Sequence, residues 1–175
     1  MLFPVHNAQQ TLARDVSLVL DVLPDLTDRF EVLIVDDGST DGTDEVAEDL
    51  ARQYPQVSVV RHVERRGLAE SINTALDRSE GEIVFLPGPA QDFQPEALSQ
   101  LWQLRDDRDV AMARRSDPSC GLRMIRREDI GRLQEIGVEL AGKQQAVPSV
   151  EDIDLEIGSE TGGFLRSIGS FLVAE

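Results

Sequence analysis

The sequence predicts a single α/β domain with a mainly parallel sheet, and three observations carry that expectation. Apolar spacing alternates between strand and helix periods from the amino end to about residue 127. One run, Glu31-Val32-Leu33-Ile34-Val35, is almost continuously apolar and β-branched, as a parallel strand covered on both faces requires. It is followed at once by Asp36-Asp37-Gly38-Ser39-Thr40-Asp41-Gly42-Thr43, turn chemistry that leads into a helix.

Taken in order, a clipped first strand, Met1-Leu2-Phe3, precedes Pro4. Leu12, Val16, Val19 and Leu23 then fall on one helical face. The strand from Phe30 to Val35 is followed by a helix carrying Val46, Leu50 and Tyr54, with Thr40 or Asp41 placed to cap it. Val57–Arg61 reads as the next strand, and Leu68, Ile72 and Leu76 as the next helical stripe. Strands follow at Glu82–Leu86, Val110–Ala113 and Leu122–Arg126, with a helix opened by Pro95 and carrying Leu98, Leu101 and Trp102 between the first two. Beyond residue 130 the pattern weakens at Gly131, Gly137, Gly142 and Pro148, leaving one helix expected near Ile130–Leu140. Residues 1–130 are read as the domain and 131–175 as a helical or irregular extension packed on it, with Phe164-Leu165 and Phe171-Leu172-Val173 able to support self-association into a homo-oligomer.

A length of 175 residues suits one domain. No apolar run approaches the roughly 18 residues of a membrane-spanning helix, and no targeting segment is apparent, so the expected location is the cytoplasm. A lone Cys120 excludes an internal disulfide. The net charge of −16 repels phosphate backbones and argues against nucleic acid as a partner. That field also opposes a nucleoside diphosphate unless local arginines or a cation offset it.

In an open parallel sheet, ligands bind beyond the carboxyl ends of the strands, which places Asp36 and Asp37 at a candidate crevice. Alone, the same residues read equally well as a turn and helix cap. Two further segments sit after strands: Pro4-Val5-His6-Asn7, and Glu64-Arg65-Arg66-Gly67-Leu68-Ala69-Glu70-Ser71-Ile72-Asn73. In this order and spacing the three resemble family 2 glycosyltransferases of the GT-A fold, a Rossmann-like three-layer αβα sandwich. Asp117-Pro118-Ser119-Cys120-Gly121-Leu122-Arg123 with Arg126-Arg127-Glu128 is similar to the late motif of polyprenyl-phosphate (dolichyl-phosphate) mannosyl- and glucosyltransferases within that family.

The resemblance implies a nucleotide-sugar or nucleoside diphosphate ligand. Pro4, His6 and Asn7 would flank its base, Asp36 and Asp37 its base and ribose, and Arg66 with Gly67 its diphosphate. Arg66 also precedes a helix whose first amides offer an anion site, and Gly67 lets a ligand approach the backbone. The alternative for Arg66 is a solvated surface charge beside Arg65.

Two departures matter. The family ends the strand matching Glu82–Leu86 in Asp-x-Asp, whose carboxylates hold Mg²⁺ or Mn²⁺ against the diphosphate; here Pro87 and Pro89 stand at those positions. Gln91 matches a glutamine that follows the motif, but one neutral amide does not replace two carboxylates, so no metal cofactor is expected. Only Arg115-Ser116 lies where the polyprenyl-phosphate enzymes carry a long acceptor-binding segment. Glu151-Asp152-Ile153-Asp154-Leu155 resembles the element that supplies a general base in many inverting members, which would make Asp152 catalytic; chance in an acidic chain is the competing explanation. His6 and His62 lack partners at zinc-ligand spacing. The leading expectation is a nucleotide-binding relative with transferase activity lost or reduced. The rival is an active metal-independent transferase using Arg66, Arg114, Arg115 or Arg123 at the diphosphate, and a scaffold without ligand is the third reading.

Overall fold

The computed structural model describes residues 1–86, 95–106, 110–114, 122–130 and 151–154. The elements run β1 (Leu2–Val5), α1 (Leu12–Leu26), β2 (Val32–Asp36), α2 (Thr43–Gln53), β3 (Val57–Arg61), α3 (Leu68–Arg78), β4 (Ile83–Leu86), α4 (Pro95–Gln103), β5 (Val110–Arg114), β6 (Leu122–Arg126) and β7 (Glu151–Asp154). β1, β2 and β3 form a parallel ladder in that order; β4, β6, β5 and β7 form a second. In the second ladder β6 runs antiparallel to both neighbours, while β7 is parallel to β5. β1 lies against β4, joining the two ladders side by side.

The strand pleat sorts side chains into two cores. Phe3, Val5, Val32, Ile34, Phe85 and Met124 pack with α1, α2 and α4, whereas Leu2, Leu33, Val35, Val84, Leu86 and Ile125 pack with α3. Helices on both faces of one sheet make the three-layer α/β sandwich that the sequence predicts. On α3 the buried positions are Ser71, Ile72 and Ala75, with Leu68 and Leu76 at the margin. Trp102 packs its ring 6.3 Å from that of Phe85 and carries the Arg105 guanidinium 4.8 Å above it, a core role.

Pro4 is tolerated in β1 for a directional reason. The carbonyls of Met1 and Val5 accept hydrogen bonds from Leu33 and Asp37 of the β2 segment, so odd-numbered residues point their polar groups toward β2. Pro4 faces the other way, and its missing N–H costs no β1–β2 bond.

Long-range polar contacts fix the direction of the strands. Glu31, just before β2, accepts hydrogen bonds through Oε1 from the amides of Glu80 and Gly81, just before β4 (2.7 and 3.0 Å). The amino ends of β2 and β4 are therefore neighbours, and their carboxyl ends share the opposite rim. Arg127 closes the carboxyl end of α3, donating to the carbonyls of Leu76 (2.9 Å) and Gly81 (2.8 Å) and to Ser79 Oγ (2.6 Å).

Two details differ from the sequence reading. Gly42, not Thr40 or Asp41, is the N-cap residue of α2, while Asp41 Oδ1 accepts from the Thr43 amide at 3.0 Å. Part of the extension is strand, because Glu151–Asp154 pairs with β5. The helix expected near Ile130–Leu140 lies outside the described residues except at Ile130. No helix among the described residues is long and apolar enough to cross a membrane.

Candidate functional site

Three loops leave the carboxyl ends of β1, β2 and β3, and hydrogen bonds stitch them together. The Asn7 amide donates to Ser39 Oγ (2.9 Å), and Asn7 Oδ1 accepts from the Thr40 amide (3.0 Å). The Ala8 amide donates to Thr43 Oγ1 (2.8 Å), and Gly42 donates its amide to Gln9 Oε1 (3.2 Å). His6 donates from Nδ1 to the Asp37 carbonyl at 2.9 Å. Asn7 adopts a positive φ of 54°, a conformation that Asn tolerates better than most residues.

Strand alternation sends the two adjacent aspartates to opposite faces. Asp36, 0% exposed, lies on the α2 side. Its Oδ1 accepts the Ser39 amide at 3.0 Å, and its Oδ2 lies 3.4 Å from Arg61 Nε with no hydrogen bond to it. Arg61 also bonds Asp44 of α2. Asp37, 4% exposed, lies on the α3 side. Its Oδ1 accepts from the Arg66 amide (2.7 Å) and from His62 Nδ1 (2.9 Å), and its Oδ2 accepts from the Gly67 amide (2.8 Å). Burial raises the pKa of this carboxyl, but the bonds from Arg66, His62 and Gly67 together outweigh it and hold the group below its ordinary value. The Asp41 carboxyl is likewise held low, chiefly by the Thr43 hydroxyl.

Gly38 makes the meeting of loops possible. At φ +62°, a Cβ there would lie 2.6 Å from the Arg65 nitrogen and the Glu64 carbonyl carbon. Gly67, at φ +93°, faces open space instead.

The residues expected from the sequence separate into supports and surfaces. His6, Asn7, Arg66 and Gly67 come together at the rim formed by the first three strands. Pro4 is half-buried within β1, opposite Val35. Asp36 and Asp37 lie beneath the rim, already met by protein groups. Arg123 is the second residue of β6, at its rim-side end, opposite Leu86, the last residue of β4. Arg114 ends β5, whose carboxyl end shares the rim with that of β4 because both strands are antiparallel to β6. Asp152 sits within β7, in register with Met112, at the far edge of the second ladder from the loops of β1 to β3. Pro87, Pro89 and Gln91 lie outside the described residues.

Two residues escaped sequence reasoning: Arg61 and His62. Arg61 stands opposite Asp36 in the β2–β3 register, a cross-strand charge pair visible once the strands are aligned. An open cavity of about 350 Å³ lies beside the outer edge of β3 and α3, lined by Val60, His62, Arg66, Thr74, Asp77 and Arg78. No group of three or more His, Cys, Asp or Glu side chains converges among the described residues. The buried Asp36 Oδ2, facing an arginine, does not fit a cation.

The fold and its rim define a GT-A domain, with structural neighbours that are glycosyltransferases. The chain belongs to glycosyl transferase family 2, whose family profile matches residues 2–153. It is 26% identical over 116 residues to a dolichol-phosphate mannosyltransferase of Pyrococcus furiosus, covering 66% of this chain and 32% of that protein. It is 30% identical over 95 residues to glycosyltransferase AglE of Haloferax volcanii, covering 54% and 31%. The chain thus spans about a third of the length of these curated relatives. Among solved structures, the mannosyltransferase PcManGT of Pyrobaculum calidifontis, in complex with GDP-Man and Mn²⁺, superposes with a TM-score of 0.53 at 25% identity, covering 75% of this chain and 45% of that one. Glucosyl-3-phosphoglycerate synthase of Mycobacterium tuberculosis, with Mn²⁺ and UDP-glucose, gives 0.63 at 15% identity, covering 88% and 67%, and speaks for the fold alone.

Proposed function

We propose that this chain binds a nucleoside diphosphate or nucleotide sugar on the rim, without a divalent cation, and that its transferase activity is lost or reduced. The observation that carries this reading is the combination at the rim of the stitched loops with a β4 end at Leu86 that is followed by Pro87-Gly88-Pro89. Transfer from a nucleotide sugar needs charge compensation as the sugar–phosphate bond breaks. A metal-dependent relative supplies it through carboxylate-held Mg²⁺ or Mn²⁺, and neither proline has a side-chain oxygen. In this reading His6 and Asn7 bound the base, Arg66 and the first amides of α3 meet the phosphates, and Asp36 and Asp37 hold the loops beneath them.

A second reading is favoured by the placement of Arg114 and Arg123. Both stand on the rim side of the second ladder, where guanidiniums would offset diphosphate charge in an active, metal-independent transferase. Asp152, as base, would then have to act from the β7 edge. Residues 131–175 and any self-association would belong to either reading, as would a cytoplasmic location. The strongly acidic chain is proposed not to bind nucleic acid.

A thermal-shift screen of UDP, GDP, UDP-glucose and GDP-mannose, each with and without Mn²⁺, tests binding, and a sugar-transfer assay separates the two readings. Stabilisation by a diphosphate with no transfer supports the first. Metal-free transfer supports the second, and no stabilisation by any of the four contradicts both.

A further inference from the structure

We infer that His62 is the positioning residue of the site: it locks the Asp37 carboxylate so that the Arg66–Gly67 backbone is held in the conformation that presents Arg66 to a ligand's phosphates. The inference rests on the nucleotide reading above, and deepens it.

His62 is 5% exposed, and its ring spans two elements. Nδ1 meets Asp37 Oδ1 at 2.9 Å, and Nε2 meets Thr74 Oγ1 of α3 at 3.0 Å. An ionised carboxylate only accepts, so Nδ1 carries the proton and donates to Asp37, while Nε2 pairs with the Thr74 hydroxyl. The backbone is fixed as well, because the His62 amide donates to the Asp36 carbonyl at 2.9 Å. The ring is thus pinned at both nitrogens and the backbone at a third point, and the ring pins the carboxylate in turn.

The carboxylate has two other tasks. Its oxygens take the amides of Arg66 and Gly67 at 2.7 and 2.8 Å, closing a loop that presses on Gly38 too closely for a Cβ. Rotation of the Asp37 side chain would release both amides together. The Arg66 side chain is exposed and has no ion pair among the described residues. What His62 secures is therefore a loop whose outward group is an available cation. Sequence spacing hides this role, since Asp37 and Thr74 lie 25 and 12 residues away.

Side-chain geometry supplies a discriminating test. The amide nitrogen of Asn occupies the place of a histidine Nδ1, whereas that of Gln occupies the place of Nε2. His62→Asn therefore keeps a donor for Asp37 and loses Thr74; His62→Gln does the reverse; His62→Leu loses both. The full chain and the three variants are compared by calorimetry with UDP and uridine, and with GDP and guanosine, and by amide hydrogen exchange at Arg66 and Gly67. Expected are a roughly tenfold weakening of diphosphate affinity in His62→Leu and His62→Gln, a nucleoside affinity changed less than about twofold, and recovery of most of the loss in His62→Asn. Exchange at both amides should accelerate by about tenfold or more in the Leu and Gln variants and much less in the Asn variant. Equal behaviour of the Asn and Gln variants in exchange overturns the inference. So does an equal loss for nucleoside and diphosphate. If the wild-type chain binds none of the four ligands, the proposed nucleotide function fails and the role of His62 toward a phosphate ligand falls with it. A positive exchange result in that case would show that the lock itself is real, which separates the two failures.

Discussion

Asp36 and Asp37 are neighbours in sequence and turn to opposite faces of the sheet, Asp36 toward Arg61 and Asp37 toward His62. A pair of adjacent carboxylates that resembles a joint ligand-binding unit is thereby divided into two supports, one for each helical layer. This division frames the energetics of the rim.

Asp37→Asn should destabilise the domain by about 2–3 kcal/mol, because one carboxamide oxygen cannot serve three donors at a buried carboxyl and its NH₂ confronts at least one of them. Urea unfolding measures it. The same variant should flatten the acid limb of stability. The folded-state pKa of Asp37 lies below the ordinary 3.8, so the unfolded chain binds more protons in acid. The contribution of this carboxylate is present above the ordinary value and is lost as pH falls through the folded one. Stability should therefore fall more steeply below about pH 4 in the wild type than in Asp37→Asn, and parallel limbs would contradict the assignment.

Gly38→Ala and Gly67→Ala share a positive φ but differ in space. The first should cost about 2–4 kcal/mol, since its Cβ meets backbone atoms that have no flexible end to yield, and the second about 1–2 kcal/mol from conformation alone. Thermal unfolding of the two variants checks the order, and a larger cost at Gly67 would refute it.

The strands and helical stripes were legible because burial on two faces forces apolar, β-branched runs, as in Val32–Val35. The three loops of the rim were legible from turn chemistry placed directly after strands. Other features depend on contacts that spacing along the chain does not encode. β7 is one: Glu151-Asp152-Ile153-Asp154 has little intrinsic strand preference, and pairing with β5 overrides it. Arg127 is another. Its sequence neighbours pointed to a late family motif, while its guanidinium in fact closes the end of α3 about 50 residues earlier.

Arg127→Ala should consequently lower stability by about 1–2 kcal/mol and leave nucleotide affinity unchanged, because it frees the Leu76 carbonyl of α3 and the Gly81 carbonyl at the end remote from the rim. Paired urea and calorimetric measurements test this. A selective loss of diphosphate affinity would move Arg127 into the binding surface.

Arg66→Ala separates the rim's surface from its supports. Its backbone amide, and hence the bond to Asp37, survives the substitution. Stability should change by less than about 0.5 kcal/mol, while UDP or GDP affinity falls by roughly tenfold and nucleoside affinity by less than twofold. Equal losses for diphosphate and nucleoside would remove Arg66 from the phosphate subsite.

The central claim is that the rim holds its nucleotide without a divalent cation, and calorimetric titration of UDP and GDP with and without Mn²⁺ tests it most directly. Pro87 and Pro89 offer no side-chain oxygen, so the cation should shift affinity by less than about threefold, and Pro87→Asp with Pro89→Asp should introduce a dependence the wild type lacks. A tenfold or greater strengthening by Mn²⁺ in the wild-type chain, about 1.4 kcal/mol, would contradict the account.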